Sequence, residues 1–227
     1  MNLDLYAKIE PLIGFDDAYE ELYELYLSHL RKLNVKNLLD VGCGSGRLLE
    51  ILKNENISAK GIDLSPKMVQ RCQSKQLDVE CMDICKVEEK YEAVVAVADV
   101  LNYMDEDELQ GFLECVKKVI QPKGYFLADV NSLHGFENVA DGTVLGDRED
   151  LFFGVDATFE NGKLYSEFTL FSKLQDGNFK KEQDEIIQYY HSVLDIEEML
   201  GMKRIAFEDV MLFDDVSDKT LMIFQKE

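Results

Sequence analysis

The chain of 227 residues has little positive charge. It contains 24 lysine and arginine residues against 45 aspartate and glutamate residues, which gives a formal net charge of −21. The basic residues are scattered and form no patch along the sequence. Because such a chain repels a phosphate backbone and an anionic bilayer, we expect neither nucleic acid nor a membrane among its partners.

Targeting segments and paired cysteines are also missing. The opening MNLDLYAKIE is acidic and lacks an apolar core, so we expect no signal peptide. No apolar stretch has the length of a transmembrane helix. An odd, scattered set of cysteines predicts free thiols in a reducing cytoplasm; these are Cys43, Cys72, Cys81, Cys85 and Cys115. Without a second close pair or a nearby histidine, the C-x3-C spacing of Cys81 and Cys85 predicts no metal site.

What the chain does contain is a regular alternation of strand and helix patterns. Hydrophobic residues make up 46% of it, enough to fill a core. A helical lead-in over residues 1–34 comes before strands predicted at residues 37–41, 59–63, 78–83, 92–101 and 125–131, with helical segments between them. This order predicts an α/β fold with a doubly wound, Rossmann-like parallel sheet and right-handed crossovers.

The pattern changes after residue 131. Apolar and polar residues then alternate over residues 150–159, 163–174 and 179–193, with turn residues between them, which predicts an antiparallel meander. A short helix near 195–201 and a closing hairpin would complete the main sheet. We therefore divide the chain into a Rossmann-like domain of residues 1–132 and 193–227 and an inserted β-meander of residues 133–192.

Acidic residues stand at or near the end of every predicted parallel strand. They are Asp40, Asp63, Asp83, Asp99 and Asp129. Ligands of doubly wound sheets bind beyond the carboxyl ends of the strands, where these side chains would meet. Five acids in the same structural place predict a ligand site better than a set of solvated loop residues.

A glycine-rich turn follows the first strand in 38-LLDVGCGSGRLLEIL-52. A turn that serves packing alone is one reading of it. A dinucleotide fingerprint requires G-x-G-x-x-G, but Arg47 stands where the third glycine would be, and the Gly-Lys-Ser/Thr of a Walker loop is also missing. Asp40, directly before the loop, disfavours a pyrophosphate and suits an ammonium group. The loop therefore favours a ligand without phosphate.

The acids further along specify that ligand. Asp63 can accept both hydroxyl groups of a ribose, and Asp83 can accept the exocyclic amine of an adenine. Met68 and Ile84 are apolar and close enough in sequence to enclose the ring. An ammonium group, a ribose and an adenine with no phosphate describe S-adenosylmethionine.

Four motifs resemble the class I S-adenosylmethionine-dependent methyltransferases: LLDVGCGSGRLLEIL, GIDLSPKMV, CMDI and IQPKGYFLADVNS. The resemblance covers residues 35–132 closely, and the remainder is similar to the branch that methylates small molecules and has a β-meander after the fifth strand. It implies a seven-stranded sheet, the product S-adenosylhomocysteine and no metal. The cofactor residues that it implies are Tyr6, Asp40, Gly42, Cys43, Gly44, Gly46, Asp63, Leu64, Met68, Asp83, Ile84, Ala98 and Asp99.

The acceptor side is less defined. Methyl transfer from a sulfonium is an in-line displacement that depends mainly on orientation, so the sequence identifies no catalytic residue. Residues that would contact the acceptor are Asp99, Asn102, Tyr103, Asn131, Tyr190 and His191, each of which has a packing or capping role as its alternative. The inserted meander would form a lid or wall over the acceptor, or else a dimer surface, so that the protein is a monomer or a homodimer.

These observations predict a cytoplasmic methyltransferase that acts on a small-molecule amine, hydroxyl or carboxylate. A binding or regulatory module that keeps the cofactor pocket without transferring a methyl group is the alternative. A nucleic-acid methyltransferase is disfavoured by the charge and by the fourth strand, which ends in ADVLNYM and not in the Asn/Asp-Pro-Pro-aromatic motif of enzymes that methylate base amines.

Overall fold

A computed structural model describes residues 4–14 and 16–227, except for the side chains of residues 16 and 17. Residues 1–3 and 15 of the predicted lead-in lie outside this part. The α-helices are α1 (Tyr6–Ile13), α2 (Asp16–Lys32), α3 (Arg47–Leu52), α4 (Pro66–Ser74), α5 (Glu106–Val119) and α6 (Val193–Leu200). The strands are β1 (Asn37–Val41), β2 (Ser58–Asp63), β3 (Val79–Cys81), β4 (Tyr91–Ala96), β5 (Ile120–Asn131), β6 (Gly142–Arg148), β7 (Leu151–Glu160), β8 (Lys163–Lys173), β9 (Phe179–Tyr189), β10 (Lys203–Val210) and β11 (Lys219–Gln225).

The main sheet has seven strands in the order β10-β11-β5-β4-β1-β2-β3. Strands β1 to β5 are parallel, while β11 pairs antiparallel with both β5 and β10. The strand order reverses between β1 and β4, which is where doubly wound sheets bind ligands. The predicted Rossmann-like, seven-stranded sheet with an antiparallel insertion is confirmed.

Helices cover both faces of this sheet. Strand β4 shows why, because Val94 and Ala96 pack into the core beneath α5 and α6, while Ala93 and Val95 pack into the core beneath α2 and α3. A central strand that is buried on both faces reads as a continuous apolar run, as the sequence YEAVVA does. None of the described helices is long and apolar enough to cross a membrane.

The second sheet is an antiparallel meander in the order β6-β7-β8-β9. The predicted strands β7, β8 and β9 are present, but β6 was missed because most of its residues are exposed and no apolar alternation marks them. On one face, Phe153, Phe168 and Ile186 form a core with Leu5 and Ile9 from the lead-in. The meander therefore holds helix α1 in place.

Strands β3, β4, β5 and β9 differ from their predicted bounds. Strand β4 ends at Ala96 and not at residue 101, and a 3₁₀ turn over Val100–Tyr103 follows it. Strand β9 ends at Tyr189 and not at residue 193. Strand β3 ends at Cys81, and Asp83 instead caps a short 3₁₀ turn, accepting a hydrogen bond from the Cys85 N–H at 2.8 Å. Strand β5 begins earlier, at Ile120, and contains a bulge where its register on β4 shifts. Pro122, Lys123 and Gly124 lie in this bulge, with Lys123 in the left-handed region at φ +64°.

One expectation about the cysteines was wrong. Cys85 and Cys115 form a disulfide that joins the 3₁₀ turn after β3 to helix α5, and only Cys43, Cys72 and Cys81 are free thiols. The two bonded residues are 30 positions apart, and sequence spacing alone cannot identify a pair that the fold brings together.

Candidate functional site

A cavity of about 720 Å³ lies at the carboxyl ends of β1, β2 and β4. Its floor is the glycine loop, its sides include the residues after β2, β3 and β4, and the lead-in helices and α5 complete its wall. All the predicted cofactor residues except Gly46 and Asp99 line it. Every predicted acid therefore lies at or directly behind one cavity.

The glycine loop needs its glycines for conformation and for space. Gly42, Gly44 and Gly46 all have positive φ, where residues with a side chain are strained. A Cβ at Gly42 would also lie 2.9 Å from the Val100 side chain, whereas a Cβ at Gly44 would meet nothing within 4 Å. The loop therefore exposes its backbone to the cavity at Gly44, whereas Gly46 does not line the cavity.

Asp63 is held in place by the backbone around it. One carboxylate oxygen accepts from the Gly44 N–H at 2.9 Å, and the other accepts from the Ser65 N–H at 2.7 Å. Each oxygen keeps further lone pairs for a ligand. Burial raises the pKa of Asp63, and these two hydrogen bonds oppose that rise.

Asp40 is buried at the base of the cavity, only 2% exposed. Its burial, followed by the nearby charges of Asp63 and Cys72, raises its pKa to about 8. A buried carboxylate of this kind is stabilised by a cationic partner. The base of the cavity is therefore suited to a ligand that brings a positive charge.

The far end of the cavity carries the residues predicted for an adenine ring. Met68 and Ile84 are buried there, while Leu64 and Asp83 are exposed at the rim. Helix α4 presents Met68 because Ser65 caps the helix, accepting from the Met68 N–H at 3.3 Å, and Pro66 begins it. Apolar walls with one carboxylate at the edge suit a flat ring with an amino group.

Behind the cavity lies a buried ionic cluster that the sequence did not reveal. Lys219, on β11, is 2% exposed and donates to Asp99 at 2.8 Å and to Asn131 at 2.7 Å, with Asp129 at 3.5 Å. Burial lowers the pKa of Lys219, but the charges of Asp99 and Asp129 outweigh this and raise it overall. In the sequence, nothing indicates that a lysine at the start of an otherwise apolar strand has a buried side chain.

The ionic cluster holds the loop after β4. Asp129 accepts from the N–H groups of Ala98 and Asp99 at 2.8 and 2.9 Å, and from the Tyr26 hydroxyl at 2.8 Å. Ala98 and Asp99 both have positive φ, a strained conformation for residues with side chains. Asp129 and Lys219 therefore fix the backbone that places Ala98 in the cavity wall.

The acceptor-side candidates fall into two groups. Tyr103 lines the cavity. The other five are not among its lining residues. Asp99 and Asn131 both contact Lys219 in the ionic cluster, and Asn102 donates to the Tyr189 carbonyl at 2.8 Å. Tyr190 packs edge-on to Phe136, and His191 contacts the Met104 carbonyl at 2.9 Å. Asp99, Asn102 and His191 join the β4–α5 region to the end of the meander, through contacts that involve Gln188, the Tyr189 carbonyl and the Met104 carbonyl.

Four lead-in residues in the wall were not predicted as site residues. They are Asp4, Glu10, Tyr19 and Tyr23. Both tyrosines fall within the helical lead-in predicted over residues 1–34, and a helical pattern cannot separate a core position from a cavity wall. Within the described part of the chain, the meander strands contribute no residue to the lining; they pack behind it, against α1 and Tyr103.

Comparison with known proteins agrees with this geometry. Residues 38–124 match the family model described as a methyltransferase domain. A protein of Geobacillus sp. (strain WCH70) that carries a provisional methyltransferase name is 23% identical over 180 residues, 74% of this chain and 73% of that protein.

Two solved structures share the fold. An S-adenosylmethionine-dependent methyltransferase from Clostridium acetobutylicum ATCC 824 aligns with a TM-score of 0.78, 20% identity and 92% coverage of each chain. CalS10 from Micromonospora echinaspora, an amino pentose methyltransferase with S-adenosylmethionine bound, aligns with a TM-score of 0.73 and 16% identity over 100% of this chain and 98% of that chain. The resemblance to the class I S-adenosylmethionine-dependent methyltransferases is confirmed: the fold is shared, and the match to the methyltransferase-domain model covers residues 38–124.

Proposed function

We propose that this protein binds S-adenosylmethionine in the cavity and transfers its methyl group to a small-molecule acceptor. The observation that carries the proposal is the set of carboxylates at the ends of three neighbouring strands, Asp40, Asp63 and Asp83, around a glycine loop. No lysine, arginine or histidine is found among the lining residues that the structure describes. A nucleotide phosphate would require such a group or a phosphate loop, whereas adenosine attached to an amino acid does not.

The residues in the cavity fit this cofactor. Asp63 is oriented by two backbone N–H groups, as a ribose-binding carboxylate should be, and Asp40 would face the amino group of the methionine part. Asp83 and Ile84 would bind the adenine opposite Met68, with Leu64 covering its rim. The open space above Gly44 leaves room for the ligand to lie against the backbone.

The protein's contribution to the reaction is orientation and exclusion of water. When bound, the cofactor supplies a methyl group already activated by its positively charged sulfur. Tyr6 and Tyr103 share a hydrogen bond between their side chains and close the cavity near Ala98. Holding the reacting groups in line accounts for about 7–11 kcal/mol of a barrier in well-oriented systems. For this reason the proposal needs no single catalytic side chain.

A small acceptor is supported by the enclosure of the cavity. Lead-in helices α1 and α2 form one wall, and the meander packs behind α1. CalS10, which shares the fold over its whole length, is described as an amino pentose methyltransferase, and we propose a small-molecule acceptor for this chain as well. The described residues contain no group of side chains that could hold a metal, so the proposal uses none.

The first experiment is calorimetric titration of S-adenosylhomocysteine into the wild type, Asp63→Asn and Asp147→Asn. Hydrogen bonds to charged groups are worth about 1.5–3 kcal/mol each, so Asp63→Asn should weaken binding by about 10- to 100-fold. Asp147 is exposed on β6 and does not line the cavity, so its variant should bind like the wild type.

The absence of any binding by the folded wild type would overturn the proposal. Methyl transfer to a broad panel of metabolites can be measured by mass spectrometry. Binding of S-adenosylhomocysteine by the wild type without transfer to any of these metabolites would support the alternative of a cofactor-binding module.

A further inference from the structure

The disulfide joins two walls of the cavity at the end proposed for the adenine. One wall is the segment after β3, where Asp83, Ile84 and Cys85 all line the cavity. The other wall is helix α5, which contributes Phe112 among other residues. The bond between Cys85 and Cys115 connects the two walls covalently. The state of this bond therefore bears on the shape of one end of the cavity.

Cys115 lies on the face of α5 that is turned to the cavity. The lining residues Glu108, Gly111 and Phe112 and the bonded Cys115 stand at i, i+3, i+4 and i+7, the spacing of a single helical face. A Cβ at Gly111 would meet nothing within 4 Å, so there is open space beside this face. The disulfide is therefore part of the cavity wall.

Helix α5 is held in place by contacts other than the disulfide. It begins with the capping box formed by Asp105 and Glu108, which satisfies backbone N–H groups of its first turn. Its residues Leu109, Leu113 and Val116 are fully buried in the core of the main sheet. We therefore expect the helix to keep its position when the disulfide is reduced.

The segment after β3 has fewer attachments. Strand β3 has three residues, lies at the edge of the main sheet and pairs with β2 alone. In the 3₁₀ turn that follows, Ile84 is buried, whereas Cys85 and Lys86 are exposed. A segment with few buried contacts opens locally at a low cost in free energy. The disulfide ties this segment to a residue 30 positions away and so restricts its opening.

The two bonded sulfur atoms differ in access from solvent. Cys85 is an exposed residue, whereas Cys115 is only 6% exposed. Thiol–disulfide exchange begins when a thiolate attacks one sulfur of the bond, and access decides which sulfur is attacked. The attack should therefore fall on Cys85.

We propose that Cys85 is a thiol-exchange site, and that reduction of its bond to Cys115 by a dithiol weakens binding of the cofactor. Reduction frees the segment that carries Asp83 and Ile84, so these residues hold their positions in a smaller fraction of the molecules. The apparent affinity falls by that fraction. This inference rests on the proposed function, because it assigns a redox dependence to the same cofactor cavity.

The reduction takes two exchange steps. A thiolate of the dithiol bonds to Cys85 Sγ, and the bond between Cys85 and Cys115 breaks with its electron pair on Cys115 Sγ, which takes up a proton. The second thiolate of the reductant then attacks its own sulfur in the mixed disulfide. Cys85 leaves with the electron pair and takes up a proton, and the dithiol becomes a cyclic disulfide. The protein gains two electrons and two protons, and the dithiol loses them.

The first measurement compares the two redox states of the full-length protein. S-adenosylhomocysteine is titrated by calorimetry into protein oxidised with glutathione disulfide and into protein kept in excess dithiothreitol. Alkylation and mass spectrometry establish the state of Cys85 and Cys115 in each sample. We expect reduction to weaken binding about tenfold. Affinities within twofold of each other, tighter binding by the reduced protein, or failure of the bond to form under oxidation would each overturn the proposal.

Cysteine variants assign the effect to this bond. The double variant Cys85→Ser/Cys115→Ser has no bond to lose, so it should bind about as weakly as the reduced wild type and should not respond to dithiothreitol. Cys81→Ser removes the exposed free thiol at the end of β3 and should keep the full response. If the double variant still responded to dithiothreitol, another thiol would be responsible and the assignment to Cys85 would be wrong.

A monothiol locates the sulfur that is attacked. The oxidised protein is treated briefly with 2-mercaptoethanol, quenched with acid and digested for mass spectrometry. We expect the mixed disulfide on Cys85. An adduct mainly on Cys115 would contradict the difference in access.

The coupling must also act in the reverse direction. If the oxidised protein binds S-adenosylhomocysteine tenfold more tightly, saturating S-adenosylhomocysteine should make the bond harder to reduce and lower its midpoint potential by about 30 mV. Redox buffers of reduced and oxidised dithiothreitol measure this shift. A midpoint that did not move, or that rose, would overturn the proposal.

The two proposals fail separately. If S-adenosylhomocysteine does not bind the oxidised wild type, the proposed function fails first. If it binds both redox states equally, only the inference about Cys85 fails.

Discussion

At the scale of single residues, Asp40 has the most unusual environment of the proposed cofactor contacts. It is nearly free of solvent contact and close to Asp63, which is why its pKa rises to about 8 from the usual 3.8. In the free protein at neutral pH this carboxyl group is therefore mostly protonated. A ligand ammonium group favours its ionised form, so binding must release the proton.

We predict that the affinity for S-adenosylhomocysteine rises between pH 6 and pH 8. Below pH 8 binding releases one proton from Asp40, so the affinity should rise by at most about tenfold per pH unit. Calorimetry in buffers of different ionisation enthalpy measures the released proton directly. Asp40→Asn has no proton to release and should show a flatter profile. A wild-type affinity that does not vary over this range would show that Asp40 does not face a cation.

Sequence reasoning placed individual residues at the cavity where a motif constrains them, and their binding of the cofactor stays a prediction. The glycine loop, Asp63 and Met68 lie where the motifs placed them, because short-range spacing fixes a strand, a turn and a helix start. Lys219 was missed because its role depends on side chains brought together from distant parts of the chain. A burial pattern cannot show that a lysine within a strand is paired.

At the scale of elements, helix α1 depends on the meander for its position. It has eight residues, with Pro11 inside it and Gly14 at its end, and is too short to be stable alone. Its apolar face packs on Phe168 and Ile186, and the Tyr6 ring meets the Phe168 ring edge-on at a centroid distance of 5.7 Å. The meander thus acts on the cavity through α1.

We predict that Phe168→Ala releases α1 from the meander. Replacing a buried phenylalanine by alanine costs about 3–5 kcal/mol, and much of this loss falls on contacts with α1. Amide hydrogen exchange should accelerate over residues 6–13 and stay slow in β1. Phe179→Ala, at a half-exposed position on β9, serves as the control. Unchanged exchange in α1 would show that the helix does not depend on this contact.

The elements themselves were largely predictable. Strands β1, β2 and β4 are apolar runs that end in acids or turns, and α5 begins with a capping box formed by Asp105 and Glu108. Strand β6 was not predictable, because it is an exposed outer strand held by pairing with β7 and by little burial. Whether the meander covers an acceptor stays a prediction.

At the scale of the whole molecule, the ionic cluster connects the two sheets. Lys219 and Asp129 belong to β11 and β5 of the main sheet. Asp99 also accepts from Gln188 of the meander at 2.7 Å. Asn102 adds a second link through its bond to the Tyr189 carbonyl. The orientation of the meander against the main sheet is therefore fixed by polar contacts next to the cavity.

We predict that Lys219→Met destabilises the fold by about 3–5 kcal/mol, because it leaves buried carboxylates without a counter-charge. Urea unfolding followed by circular dichroism measures this loss. Lys203→Met, at an exposed position of β10, should change stability little. Adding Asp99→Asn to Lys219→Met removes one of the uncompensated charges and should recover part of the loss. If Lys219→Met lowered the free energy of unfolding by less than about 1 kcal/mol, the pairing of Lys219 with the buried carboxylates would not stabilise the fold.

The tyrosines that line the cavity, Tyr6, Tyr19, Tyr23 and Tyr103, also give the molecule an optical signal. The chain has no tryptophan, and four of its ten tyrosines line the cavity. Its ultraviolet fluorescence therefore comes from tyrosine alone, with a large share from rings that a ligand would touch. Occupation of the cavity should change that emission without any attached dye, so binding can be followed in the unmodified protein at low concentration.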